Sequence, residues 1–363
     1  MVIRLPPQPR VLVITLRRLG DVLVTTPLVA ALKLGLPAAR IDMLVFGGTE
    51  GILAGHPDID NVITLPQKAG PLQAAALIGK LWRRYDLAVS TQSGDRPTVM
   101  AAIAGRRRIG LVPEKGAGWK RALLHDSAPA DPTTHRVREV LQLARLLGIE
   151  DTPDVVVPRA AQPLPPRPPY AVLHANPMYR IRRWTDDGWR GLASALRARG
   201  LAVVATGGPA PDERAYLDRL WGPLGEGVER LDGRLDWGEL AQLMARASVY
   251  VGPDTSMTHL AAAAGCPTVA IYGPASPRTM GAWPVGGLRE EWAHAGSIQH
   301  RGNVWLVQNP ALPCMPCDRL GCDNHLESRS ECLDTLSLEA VLRAVDMAMG
   351  RKVAAAVTPP GST

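Results

Sequence analysis

The sequence predicts an α/β protein made of two doubly wound parallel sheets that face a central cleft. Three observations carry that expectation. Short β-branched runs alternate with longer amphipathic segments, a proline-rich stretch breaks the alternation near the middle, and 363 residues are too many for one small core. Strands separated by helical crossovers pair in parallel, and parallel sheets are covered on both faces.

In chain order, the strand candidates of the first half are "VLVITL", "IDMLVF", "NVITL", "DLAVS" and "RIGLV". In the second half they are "YAVLHA", "LAVVATGG", "SVYVG" and "PTVAIYG". Helical periodicity is clearest in "HRVREVLQLARLLG", "TDDGWRGLASALRARG" and the closing "SLEAVLRAVDMAMGR". Residues 158–170, "PRAAQPLPPRPPY", hold six prolines in thirteen positions, which no helix interior or central strand tolerates. The expected organisation is a first Rossmann-like domain over 1–160, a stiff linker over 161–169, a second Rossmann-like domain over 170–350 and a disordered tail over 351–363.

The formal charge is +7, mostly from arginine, and is locally dense in "GRRRIG" and "RIRRW". Such a chain favours anionic partners: phosphorylated small molecules, lipid headgroups or nucleic acid. One phenylalanine, no basic–aromatic interleaving and no helix-turn-helix pattern argue against nucleic acid. No apolar run reaches membrane-spanning length, and "MVIRLPPQPR" lacks the apolar core of a secretory signal, so a cytoplasmic protein is expected. No G-x-G-x-x-G follows the leading strand of either half, which disfavours a nicotinamide oxidoreductase.

Ligands of open parallel sheets bind beyond the carboxyl ends of the strands, so the loops there are the informative positions. After the first strand comes "RLGDVLVTTP", where Gly20 permits a sharp turn and Asp21 faces the cleft mouth. Either a helix starts at Asp21 and kinks near Pro27, or Thr26 caps it with Pro27 at its first position. Asp21 is then either an N-cap carboxylate or a cleft acid.

In the second half, "VGPDTSMTHLAAAAGCP" ends a strand at Gly252 and opens a small-residue helix behind Asp254, Thr255 and Ser256. Unpaired N–H groups at that terminus suit a phosphate, with the two hydroxyls as further donors, although ordinary capping accounts for the same residues. His259, one turn in, fits a ligand contact or a packed core position. The stretch "LHANPMYRIRRWTDDGW" places Asn176, Arg180, Arg182 and Arg183 between a strand and a helix that Thr185 caps. Guanidinium forks match a diphosphate, though such runs also occur as solvated loops.

Together these stretches resemble the lipopolysaccharide heptosyltransferases, glycosyltransferase family nine. The matching pieces are "RLGDVLVTTP", "HRVREVLQLARLLG", "RRW", "DTSMTHLAAAAGCP" and "YGPASP", in that order across nearly the whole chain. Serine stands at 256 where the family often has glycine, and arginine at 182 where it often has lysine. The resemblance implies the GT-B fold, ADP-heptose as donor on the second domain and a lipopolysaccharide core precursor as acceptor on the first. It implies Asp21 as catalytic base, Arg182 and the Thr255–Ser256 turn at the diphosphate, Asp254 and His259 at the donor site, and no cofactor for transfer. Other nucleotide-sugar donors, or a protein or capsule acceptor, remain open within the family. So does a binding protein that has lost catalysis, although Asp21 stands where the family base belongs.

The basic side chains of Arg96, Arg106, Arg107, Arg108, Lys115, Lys120 and Arg121 either meet an acidic acceptor and the inner-membrane surface or form a solvated face. The expected location is the cytoplasm, with peripheral contact on the cytoplasmic face of the inner membrane. Cys314, Cys317, Cys322 and Cys332 follow a C-x2-C-x4-C-x9-C spacing, with His325 inside it. Four thiolates so spaced would hold structural zinc or iron, or they are reduced thiols packed in a loop. The segment "GCDNHLESRSECL" is similar to heptosyltransferase III members of the family. Cys266 is expected only to pack.

Overall fold

Nine strands of the expected alternation form, together with four that the sequence pattern does not announce. The computed structural model describes residues 4–68 and 70–350, so the tail expected over 351–363 lies outside the described residues. The first sheet consists of β1 (Arg10–Thr15), β2 (Arg40–Phe46), β3 (Asn61–Leu65), β4 (Tyr85–Ser90), β5 (Gly105–Pro113) and β6 (Asp126–Ala130), in the order β3-β2-β1-β4-β5-β6. All its pairings are parallel. The second contains β7 (Tyr170–His174), β8 (Ala202–Thr206), β9 (Glu229–Arg230), β10 (Val249–Pro253), β11 (Thr268–Ile271), β12 (Ile298–Arg301) and β13 (Val304–Val307), in the order β12-β13-β11-β10-β7-β8-β9. Only the β12–β13 hairpin is antiparallel.

Three of the four unannounced strands, β6, β9 and β12, lie at the sheet edges, where burial leaves the weakest imprint on sequence, and the fourth, β13, lies next to β12. β6 reads "DSAPA", an edge composition with a proline that a central strand excludes. The β12–β13 hairpin turns at Gly302, whose φ of +56° suits glycine. Central strands instead read as unbroken apolar runs, because both faces are covered: Val11, Leu12, Val13 and Ile14 have no exposed surface.

In both sheets the order of connection reverses between two central strands, β1 and β4 in the first and β7 and β10 in the second. Loops diverge at such points and leave a crevice, so the carboxyl ends of these four strands form the cleft walls. Residues 151–169 carry neither helix nor strand, and the two halves also meet directly. His135 Nε2 lies 2.9 Å from the Gly281 carbonyl, Trp283 donates to Pro153 O at 2.7 Å, and Arg138 pairs with Glu291 at 2.8 Å. No described helix is long and apolar enough to cross a membrane.

Candidate functional site

Beyond β1 the chain makes a five-residue helix, Leu19–Leu23, and then a second, Thr26–Gly35. This combines the two expected registers. Thr25, not Thr26, is the N-cap, with Pro27 in the first turn, and its hydroxyl donates back to Asp21 O at 2.7 Å. Gly20 is helical, so the sharp turn expected of it does not occur there. A side chain at 20 would instead come into contact with Ser256 and His259 of the opposite half, at 3.7 Å.

Asp21 sits on the cleft wall with its side chain 13% exposed. Arg17 Nη1 lies 3.5 Å from Oδ1 and Arg136 Nε 3.9 Å from the same atom. Arg136 is itself buried, pairing with Glu139 and donating to Thr91 O at 2.6 Å. The carboxylate therefore meets a buried cation behind it and an exposed one at its rim.

The opposite wall is built at the end of β10. Gly252 is required there, because a Cβ would stand 2.1 Å from the Tyr250 hydroxyl, which meets Thr258 Oγ1 at 3.1 Å. That contact fixes helix Ser256–Ala263 against its strand, with Thr255 as N-cap and no side chain bonded to its first N–H groups. Asp254 is buried, and Arg182 Nη1 reaches both its carbonyl, at 2.9 Å, and its carboxylate, at 3.2 Å. Burial pushes the His259 imidazole below its usual pKa, against the pull of Asp254 and Asp21, so the ring is neutral near pH 7. Its Nδ1 is buried without a hydrogen-bond partner among the described residues.

These residues share one cavity of about 330 Å³, lined by Gly20, Asp21, Asn176, Arg182, Asp254, Thr255, Ser256 and His259 among others. Arg180 and Arg183 are not in its lining. Arg180 is exposed on a 3₁₀ turn, Arg180–Arg182, while Arg183 bonds Asn176 Oδ1 at 2.9 Å and stacks 3.9 Å over Tyr216. Thr185 does cap the following helix, Asp186–Ala198, accepting from Gly188 N at 3.1 Å. The cavity also takes in Arg17, Arg18, His174 and Tyr179, which sequence reasoning did not single out. Arg18 bonds the Tyr179 hydroxyl across the cleft and stacks on its ring at 4.7 Å. A second cavity of about 830 Å³ continues from Asp21 into the first half, past Phe46, Gly47, Thr49 and Gln67.

The basic residues of the first half divide. Arg106, Arg107, Lys115 and Arg121 are exposed, whereas Lys120 is buried, pairing with Asp95 at 2.7 Å and donating to Ser93 O.

The cysteines do not assemble into a ligand set. Among the described residues no three His, Cys, Asp or Glu side chains are placed to hold a metal ion. Cys314 and Cys322 are exposed, and Cys322 Sγ accepts from Glu331 N at 3.4 Å. Burial, with Cys317 and Cys322 nearby, pushes the Cys332 thiol up to about 12. Cys266 is fully buried, as packing alone requires.

A cleft with a carboxylate on one wall and anion donors on the other suits group transfer from a phosphorylated donor. Comparison with known proteins agrees. The chain is 28% identical to lipopolysaccharide heptosyltransferase 3 of Escherichia coli K12 over 275 residues, 70% of this chain and 79% of that protein. A glycosyltransferase family 9 structure from Veillonella parvula superposes with a TM-score of 0.74 at 18% identity, covering 94% of this chain and 97% of the other. The E. coli heptosyltransferase WaaC with ADP gives 0.70 at 21%, covering 93% and 99%. At these identities the likeness establishes the two-domain GT-B fold. The sequence pattern described as Glycosyltransferase family 9 (heptosyltransferase) matches residues 75–288, more than half of the described molecule, and the chain belongs to that family.

Proposed function

We propose that the protein is an inverting glycosyltransferase that moves a heptose from ADP-heptose to the inner core of a lipopolysaccharide precursor, at the cytoplasmic face of the inner membrane. The observation that carries this reading is the single cavity in which Asp21 faces Arg182 and the open N-terminus of helix Ser256–Ala263. The relatives' names supply the sugar and the acceptor.

In this reading Asp21 removes the proton from the attacking hydroxyl as its oxygen bonds the anomeric carbon. The bond from that carbon to the diphosphate oxygen breaks on the opposite face, so configuration inverts. A carboxylate is a weak base, so proton transfer runs late, once the attacking oxygen has become acidic. The larger electrostatic demand is the charge left on ADP. Arg182, the helix-terminal N–H groups and the Thr255 and Ser256 hydroxyls answer it with fixed donors.

No metal enters the sequence of events, so chelator-treated protein is expected to keep its turnover; loss of turnover restored by one added metal ion would refute that. The test of the reading is ADP release by purified protein offered a panel of nucleotide sugars with core-truncated lipopolysaccharides. Release only with ADP-heptose plus acceptor supports it, and preference for another donor overturns it.

Arg182→Ala is expected to weaken ADP binding by about 10- to 100-fold, the range of a charge-assisted hydrogen bond. It also strands the buried Asp254 carboxylate, so thermal stability should fall with it. Titration calorimetry with ADP checks this, and Arg182→Lys should recover part of both losses.

A further inference from the structure

Three helices lie side by side on the outer face of the first sheet: Pro71–Leu81, Asp95–Ala104 and Gly118–Leu123. Their inner sides cover β1, β2 and β4 through Leu81, Met100, Ala101 and Ala104. Their outer sides are unusual for a surface facing water. Leu72 is 87% exposed, Trp82 64% and Trp119 46%, and Ile78 and Val99 are exposed beside them. Helix Pro71–Leu81 reads "PLQAAALIGKL", apolar nearly all round, yet Leu81 is its one buried residue. Large apolar side chains exposed on three adjoining helices mark an interaction surface.

Charge narrows the partner. Residues 66–125, which carry all three outer helices, hold eleven lysines and arginines against three carboxylates, an excess still larger than the net +7 of the whole chain. Lys80, Arg83, Arg84, Arg106, Arg107 and Arg121 are exposed there. Two copies of so cationic a face repel each other. A polyanion without an apolar phase leaves Leu72, Ile78 and Val99 in water. An interface rich in anionic headgroups with acyl chains beneath satisfies both sets of groups, with tryptophan at the boundary between them.

Position supplies a third argument. The face is continuous with the acceptor side of the cleft: Gln67 lines the larger cavity four residues before helix Pro71–Leu81 starts. Arg96, from the adjacent helix, holds that rim through the Gln67 and Pro66 carbonyls, each at 3.1 Å, and stacks on Phe46, which also lines the cavity.

We propose that this three-helix face docks on an anionic lipid bilayer and so presents the acceptor cavity to a substrate anchored in the same membrane; the second clause rests on the lipid-linked acceptor proposed above. Docking itself is read without any transfer activity. The full-length protein is sedimented at low salt with vesicles of phosphatidylcholine containing about 30 mol% phosphatidylglycerol, and with phosphatidylcholine alone.

The wild type is expected to pellet with the anionic vesicles only and to be released by about 0.5 M salt, where charges are screened within a few ångströms. Leu72→Glu/Trp82→Glu should lower the partition coefficient tenfold or more. The same double variant should turn over a water-soluble, delipidated acceptor as the wild type does, since neither residue lines the cleft. Equal partition of variant and wild type, or a wild type indifferent to anionic vesicles, overturns the proposal. So does a wild-type dimer that the substitutions convert to monomer without any vesicle binding, which would assign the face to self-association. Vesicle binding with no heptose transfer would sink the functional reading and leave the docking face standing.

Discussion

Asp21→Asn is expected to lower turnover by about 10³-fold, about 4 kcal/mol in the barrier, while ADP affinity stays within about twofold of wild type. The substitution keeps size and hydrogen-bonding capacity and removes only the ability to accept a full proton. Asp21 belongs to the first half of the molecule, and Arg182 and the helix-terminal N–H groups belong to the second. Loss of the base should therefore leave the donor's grip intact. Single-turnover ADP release and calorimetry separate the two quantities. Turnover within about fivefold of wild type would remove Asp21 from the reaction, because a positioned general base contributes at least about 10²-fold. The buried Arg136 sharpens the expectation. With Asn at 21 it loses a carboxylate partner but keeps Glu139 and Thr91, so the fold should survive and the loss should be chemical.

The parts of this site that were legible in the sequence share one property: they follow a fully buried strand. An apolar run that stops at a glycine–carboxylate pair, or at Asp254-Thr255-Ser256 before a run of alanines, states locally that a crevice begins there. Arg182 could be read in the same way, but its neighbours could not. A 3₁₀ turn over Arg180–Arg182 faces Arg180 outward and hands Arg183 to Tyr216, a partner 33 positions on. The Arg136 contact with Asp21 spans 115 positions and leaves no periodic trace, because "HRVREV" is already accounted for as an amphipathic helix start with an Arg136–Glu139 pair. Arg17, by contrast, stands four residues before Asp21 on the same turn, a spacing that was available. Tyr179 closes on Arg18 across the cleft, a relation that exists only once the two halves meet.

Acid is expected to cost the folded state about 4 kcal/mol between pH 7.5 and pH 5 from two buried histidines, and the lowered His125, His174 and His259 add to that loss in the same direction. Burial pushes His135 down to about 3 and His56 down to about 4, from an ordinary 6.5. Below pH 6.5 the unfolded chain takes up a proton at each position and the native chain does not. Native stability is therefore fully present above that pH, and falls by about 1.4 kcal/mol per pH unit per histidine until the native values are reached. Urea midpoints at pH 7.5 and pH 5 measure the sum, and identical midpoints would refute it.

His135→Asn apportions it. Asparagine keeps a cap acceptor for Val137 N, so the variant should lose His135's share of the pH dependence, about 2 kcal/mol between pH 7.5 and pH 5. His135 also reaches from the first half to the Gly281 carbonyl of the second and packs on Trp283, ring centroids 4.6 Å apart. A proton forced onto that imidazole is a charge in the contact that sets the two halves face to face. The cleft should accordingly open, and ADP affinity weaken, as the pH falls.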